Sequence, residues 1–427
     1  MRLAFVVQRY GTEVLGGSEQ LCRLVAEHLA PRHEVEVLTT CARDYVTWKN
    51  EYPEGSDRIR GVTVRRFASA AVRDINAFNR FSDWIFSHPH TRADEMEWLR
   101  RQGPWCPALV DYLRRHHQQY DVLVFFTYLY APTVLGLEVA PARSVLVPTA
   151  HDEPAIRLGI FRDVFSRPAA LCYLTESERR FVQQEFPDRP LLEEVIGAGV
   201  DLPPHAAGVE EGAYDEGAAA IPAAEGDDDE PGDASGGLPA APAARGAAFR
   251  RRHRLYGPLV LYGGRIDPGK GCEELIEYFR SYSKEGGQGT LALMGVKLMP
   301  LPEEPFIRFA GRLSDEERLQ ALEAATVVVC PSPYESLSLL ALEAMAAGTP
   351  ILANARSAVL VEHCVRSNAG LYYADRDEFV ECLKLLVSNA RLRAQLGANG
   401  REYVRRHYQW DVVVSTYERL FAQVRGR

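Results

Sequence analysis

Two glutamates, two cations and a histidine carry most of the chemistry this sequence could do. Glu335 and Glu343 fall within residues 327–354, VVVCPSPYESLSLLALEAMAAGTPILAN. Upstream, Arg265 and Lys270 belong to the glycine-rich string GGRIDPGKG. Both places suit an anion. A guanidinium forks across two phosphate oxygens, and an ammonium acts as a point charge. The amides of Ser336, Leu337 and Ser338 lie where a helix should begin, and free N–H groups with a helix dipole favour phosphate. An acid beside phosphate would repel it, so Glu335 is expected to face hydroxyl groups. A ligand carrying both phosphate and hydroxyls is a nucleotide sugar.

These residues need elements to hold them. Val327, Val328 and Val329 form the apolar β-branched run of a strand buried on both faces. Pro331 and Pro333 stop it. A helix is expected over about 338–347, with Gly348 just past its end and Pro350 beyond. Ile351 and Leu352 open the next strand. The other string follows a strand at 259–262 and precedes a helix from about Cys272. Taken alone, its two cations could equally be solvated.

The first half repeats the pattern. Residues 3–7 read as a buried strand, Gly16 and Gly17 as a loop, and Leu21, Leu24, Val25 and Leu29 as one helix face. Residues 33–39 form the next strand, so this is a βαβ unit with glycines at the edge where open α/β sheets bind ligands. Strands are also expected at 62–67, 121–126, 144–148 and 171–174. His151 and Asp152 lie just past one of them, a place open to packing or to chemistry. Thr175 or Ser177 should cap the helix that follows residue 174, and Ser314 with Glu317 reads as a capping box. Residues 71–119 are aromatic and basic. Phe78, Phe81, Trp84 and Ile85 recur at helical spacing, which fits ordinary core.

A chain of 427 residues suits two domains. No apolar run approaches the ~18 residues of a membrane span. The eight cysteines form no CxxC pair, which argues against zinc and a disulfide framework and fits a reducing, cytoplasmic setting. Net charge is −9, but ten acids lie between residues 206 and 244 with no Lys or Arg among them. The remainder is near neutral, and nothing points to nucleic acid. That Ala/Gly/Pro-rich acidic stretch cannot bury enough apolar area to order itself, and is expected to be a disordered insertion over 205–247. Asp227, Asp228 and Asp229 therefore lack the fixed geometry of a metal site. Asp375-Arg376-Asp377 is better read as a cap for the helix at Glu378.

Glu335 and Glu343 in this strand–loop–helix setting, together with Arg265 and Lys270-Gly271 after the earlier strand, resemble the retaining glycosyltransferases of family 4. The resemblance covers roughly residues 1–201 and 250–427, and its first half is less specific. It implies an α/β chain of the GT-B fold, two Rossmann-like domains facing each other across a cleft. Their spans would be 1–204 and 248–408, with the last helix, about 409–427, packed back on the first. It implies transfer of a sugar from a nucleotide sugar with retention of configuration. Arg265 and Lys270 would hold the diphosphate, Glu335 would contact the sugar, Glu343 the ribose, and His151 would line the sugar site. Gly17, with Ser18 and Glu19 after it, matches the family's glycine loop. Gly264, Ser336, Leu337, Ser338 and Leu339 would complete the donor site. No cofactor or metal is required in that scheme. The acceptor could be a glycan, a lipid-linked group or a small molecule, and the aromatic first-domain region often faces the acceptor or a membrane surface, so peripheral membrane contact stays open. The family commonly has glycine where this chain has Ser338, and altered packing is expected there. A nucleotide-sugar epimerase and a non-catalytic nucleotide-sugar-binding subunit are the other readings.

Overall fold

The computed structural model describes residues 1–14, 16–201 and 242–426. Their strands make two sheets. The first contains β1 (Arg2–Val6), β2 (Glu34–Thr40), β3 (Gly55–Ile59), β4 (Val62–Phe67), β5 (Val122–Phe126), β6 (Ser144–Val147), β7 (Ala170–Tyr173) and β8 (Glu193–Val195). Their order is β3-β4-β2-β1-β5-β6-β7-β8. Neighbours run parallel except β3 and β4. Helices cover both faces, so β5, VLVFF, is buried at every position and reads as a continuous apolar run. The strand β3, GSDRI, is an exposed edge. It has no apolar alternation, so composition gave no warning of it, and it forms by pairing with β4.

The second sheet contains β9 (Leu259–Ile266), β10 (Thr290–Lys297), β11 (Ile307–Gly311), β12 (Val327–Cys330), β13 (Ile351–Asn354) and β14 (Gly370–Tyr373). Every pairing is parallel, in the order β11-β10-β9-β12-β13-β14. In each sheet the strand order reverses beside the first strand, β1 or β9. Ligands of such sheets bind outside the carboxyl ends of the strands at that reversal.

Three expectations need correction. Gly263, Gly264 and Arg265 lie inside β9 rather than in a loop. Gly264 pairs with Gly295 of β10, and a Cβ on Gly295 would fall 1.9 Å from the Gly264 carbonyl oxygen. Two glycines in register thus let the strands continue where the apolar pattern stops. Next, the acidic insertion does not reach residue 247, because a helix spans Pro242–His253. Arg245 pairs with Glu323 at 2.5 Å, and a Cβ on Gly246 would lie 3.0 Å from the backbone of Glu323 and Ala324. Residues 202–241, with Asp227 to Asp229, lie outside the described residues. Third, the aromatic stretch is not all core. In its helices Ile75–Ser87 and Arg92–Gln102, Phe78, Ile85 and Trp98 are buried while Trp84 and Phe86 are exposed.

The final helix, Trp410–Arg425, returns to the first sheet. Tyr417, Leu420, Phe421 and Val424 share one core with Leu3, Phe5 and Val25. Ion pairs join His33 to Glu418 at 2.8 Å and Asp121 to Arg425 at 3.2 Å. Asp375 caps the helix Arg376–Ser388 by accepting from the Glu378 amide. No helix among the described residues is long and apolar enough to cross a membrane.

Candidate active site

Two loops meet at the carboxyl edge of the second sheet, where β9 and β12 lie side by side. After β9, Asp267 accepts from the Lys270 amide at 2.9 Å and starts one tight turn, Pro268–Lys270. Gly271 ends the turn with φ 73°, and a Cβ there would lie 2.4 Å from the Pro331 carbonyl oxygen. Glycine thus brings the loop after β12 against the loop after β9. The outcome is direct: Lys270 Nζ donates to Glu335 Oε1 at 2.7 Å. Arg265 reaches the same turn, its Nε 3.5 Å from Asp267 Oδ2. Its guanidinium also lies 5.7 Å from the ring centroid of Tyr45, which belongs to the first sheet's side of the cleft.

The loop after β12 ends at Ser338, with φ 62° and ψ 77°. That is left-handed backbone, uncommon for a residue with a Cβ. The helix Leu339–Ala347 follows, so Ser336, Leu337, Ser338 and Leu339 do sit at its N-terminal end. His363 supports the loop from beneath: its Nε2 donates to the Leu337 carbonyl at 2.8 Å. Burial pushes the His363 imidazole below its ordinary range, which suits this neutral donor. Glu343 is placed differently. Its Oε1 pairs with Arg318 Nη2 at 3.1 Å. Burial raises its pKa; Arg318 opposes this, and Asp315 and Asp201 add to it.

From the first domain, the loop after β6 carries His151. Its ring lies 6.1 Å from that of Tyr334, next to Glu335. Its Nε2 is 3.7 Å from Glu153 Oε1. Thr127 and Thr149, just past β5 and β6, have φ of 62° and 51°. β-branched residues there are strained, and such strain clusters at functional sites. In the glycine loop, Gly17 opens the helix Gly17–Leu29 and a Cβ on it would meet nothing within 4 Å. The close approach falls on Gly16, where a Cβ would lie 2.2 Å from Glu19 Oε2. Glu19 itself is buried and takes Arg9 Nε at 2.8 Å. Ser18 Oγ donates to its other oxygen at 2.9 Å. Ser18 and Glu19 therefore lock the loop.

The structure thus joins Lys270 to Glu335, ties Arg265 to the same turn through Asp267 and sets His151 near Tyr334. Glu343 pairs instead with Arg318, and Gly17 opens the helix Gly17–Leu29. Tyr334, Tyr45, Arg318 and His363 escaped the sequence reading. Each owes its place to a tertiary contact that leaves no local spacing signal. Asp267 is different: its Asp-Pro-Gly context announces a turn.

Similarity to known proteins fits this geometry. Over their whole lengths the two sheets superpose on sucrose-phosphate synthase from Thermosynechococcus elongatus with a TM-score of 0.66, 17% identity and 99% of each chain covered. HepE of Anabaena, in complex with UDP and glucose, matches with the same TM-score, 15% identity and 99% of each chain. The fold is GT-B. Within this GT-B chain, residues 248–403 match the family of group 1 glycosyl transferases. An MMP alpha-(1->4)-mannosyltransferase of Mycolicibacterium hassiacum is 39% identical over 28% of this chain and 30% of its own. A phosphatidyl-myo-inositol mannosyltransferase of Mycobacterium leprae is 32% identical over 39% of this chain and 47% of its own. The matched parts span less than half the length of these curated relatives.

Proposed function

We propose that this chain transfers a glycosyl group from a nucleotide sugar to a hydroxyl acceptor, with retention of configuration, as a family 4 enzyme. The observation that carries the reading is the Lys270–Glu335 pair at the β9–β12 edge, opposite His151. A diphosphate arriving there would draw Lys270 away from Glu335. Lys270 and Arg265 then stabilise the charge that grows on the leaving nucleotide. Glu335, released, accepts hydrogen bonds from sugar hydroxyls. The N-terminal amides of the helix Leu339–Ala347 add a further positive end. Glu343, on that helix, takes the ribose hydroxyls after parting from Arg318. Because cations and amides carry the charge in this scheme, it needs no divalent metal. The two mannosyltransferase relatives support a mannose-like donor sugar, and the phosphatidyl-myo-inositol one an inositol-bearing acceptor. An acceptor of the lipid-linked kind would place the chain at the cytoplasmic face of a membrane, as a peripheral protein.

Thermal unfolding with UDP, GDP, ADP and dTDP, with and without EDTA, tests this. A nucleotide at 100 times its Kd stabilises by ~2.7 kcal/mol. One nucleotide should raise the Tm, keep doing so in EDTA, and lose the effect in Lys270→Ala. No shift with any of the four would refute the reading.

A further inference from the structure

The first turn of one helix, Glu176–Glu185, is held by a carboxylate from the other domain and itself supplies a second one that reaches back to the loop before His151. Glu362 comes from the second domain, on the helix Ala358–Ser367. Its Oε2 accepts from the Ser177 amide at 2.7 Å and from Ser177 Oγ at 2.5 Å. Its Oε1 accepts from the Glu176 amide at 3.3 Å and from Arg366 Nη1 at 3.1 Å. A carboxylate at a helix N-terminus satisfies orphan amides and complements the dipole. Here the other domain supplies it, although Thr175 already caps the helix from within.

The second carboxylate is Glu178, one residue beyond Ser177 and almost wholly buried. Its Oε1 accepts from the Ala150 amide at 2.6 Å, and its Oε2 from the Leu174 amide at 2.6 Å. Ala150 stands between Thr149, with its φ of 51°, and His151. A buried carboxylate carries a heavy desolvation cost; burial raises the pKa of Glu178, and the Leu174 and Ala150 amides that donate to it oppose that rise. An acid kept there against that cost, with both oxygens on backbone amides, fixes the chain at those two points. Strained backbone such as Thr149 persists only where its surroundings over-determine it. Three consecutive residues, Glu176 to Glu178, therefore connect a contact from the second domain to the peptide that orients His151.

We propose that Glu362 is a positioning residue that acts across the domain boundary: it seats the helix Glu176–Glu185, whose Glu178 holds the Ala150 amide and aims His151 at the Tyr334–Glu335 loop. The benefit to turnover rests on the glycosyl-transfer reading, whereas the mechanical coupling does not. When the domains separate, Ser177 loses its cross-domain acceptor and the His151 peptide loosens with it. Transfer is then favoured only when the domains are apposed.

Hydrogen exchange on the intact, nucleotide-free protein tests the coupling. Glu362→Ala should speed exchange about threefold or more in peptides covering 174–180 and also in those covering 148–152. In a Glu178→Gln background, where one amide loses its acceptor, Glu362→Ala should no longer change 148–152. Faster exchange confined to 174–180 overturns the proposal. Glu362→Gln, which keeps the volume, repeats the measurement should the alanine variant unfold. Kinetics test the consequence, using the sugar form of whichever nucleotide raises the Tm. Glu362→Ala should lower kcat about tenfold and leave the donor KM within about twofold. A raised KM with unchanged kcat overturns the positioning role. If wild type responds to no nucleotide, the glycosyl-transfer reading fails, and the exchange result alone still decides the coupling.

Discussion

Lys270 and Glu335 neutralise one another at 2.7 Å, so a diphosphate must compete with a carboxylate for the ammonium. Removing the competitor alone should separate binding from turnover. Glu335→Gln is expected to tighten nucleotide binding a few-fold by calorimetry, yet to lower kcat/KM for the nucleotide sugar by ~1.5–3 kcal/mol, the size of a charge-assisted hydrogen bond. Parallel losses in both would argue that Glu335 only holds the loop. Glu343 gives a pH test. Its folded pKa is raised, so it stays protonated to higher pH than a free carboxylate, and the stability it contributes by holding that proton is lost as pH rises through the folded value. Ribose binding needs the ionised acceptor, so affinity should run the opposite way. Nucleotide affinity should fall as pH drops through a point above the ordinary carboxylate range, and Glu343→Gln should flatten that limb. Ser338 was legible as a departure from glycine, but its consequence was not, because φ is absent from composition. With φ 62°, Ser338→Gly should raise the unfolding free energy by roughly 0.5–1 kcal/mol in urea titrations.

At the scale of elements, strand–loop–helix order was legible wherever β-branched runs met glycine and proline. The β12 unit follows the pattern of residues 327–354 to within a residue or two at each end. What failed was where a partner strand decides. β9 runs on to Ile266 because Gly295 of β10 lets it, and β3 exists only through β4. Gly271 tests the same principle at the site. Its φ is 73°, and a Cβ would lie 2.4 Å from a backbone oxygen that no rotamer change can move. Gly271→Ala should therefore destabilise by about 2 kcal/mol or more, and should part Lys270 from Glu335. A circular-dichroism melt together with nucleotide titration would show both effects. Full nucleotide affinity in that variant would mean the two loops need not touch.

Across the whole molecule, contacts that span the cleft join residues far apart in sequence: Tyr45 with Arg265, His151 with Tyr334, and Ser177 with Glu362. No periodicity encodes such pairs, which is why a cleft could be expected but not its walls. The last helix is the exception, since its amphipathic face showed that it had to pack somewhere. It packs on the first sheet, with Tyr417, Leu420 and Phe421 fully buried. A Cβ on Gly199 would lie 2.2 Å from the Trp410 ring, so the strand exit near residue 199 and the return near 410 are built against each other. The first domain is therefore completed by the chain's far end. Phe421→Ala should cost ~3–5 kcal/mol, the usual range for a buried phenylalanine. The loss should appear first in the first domain, as faster amide exchange in β1 and β5, although residue 421 follows the entire second sheet in sequence. Exchange that instead rises first in β9 and β12 would place the helix energetically with the second domain.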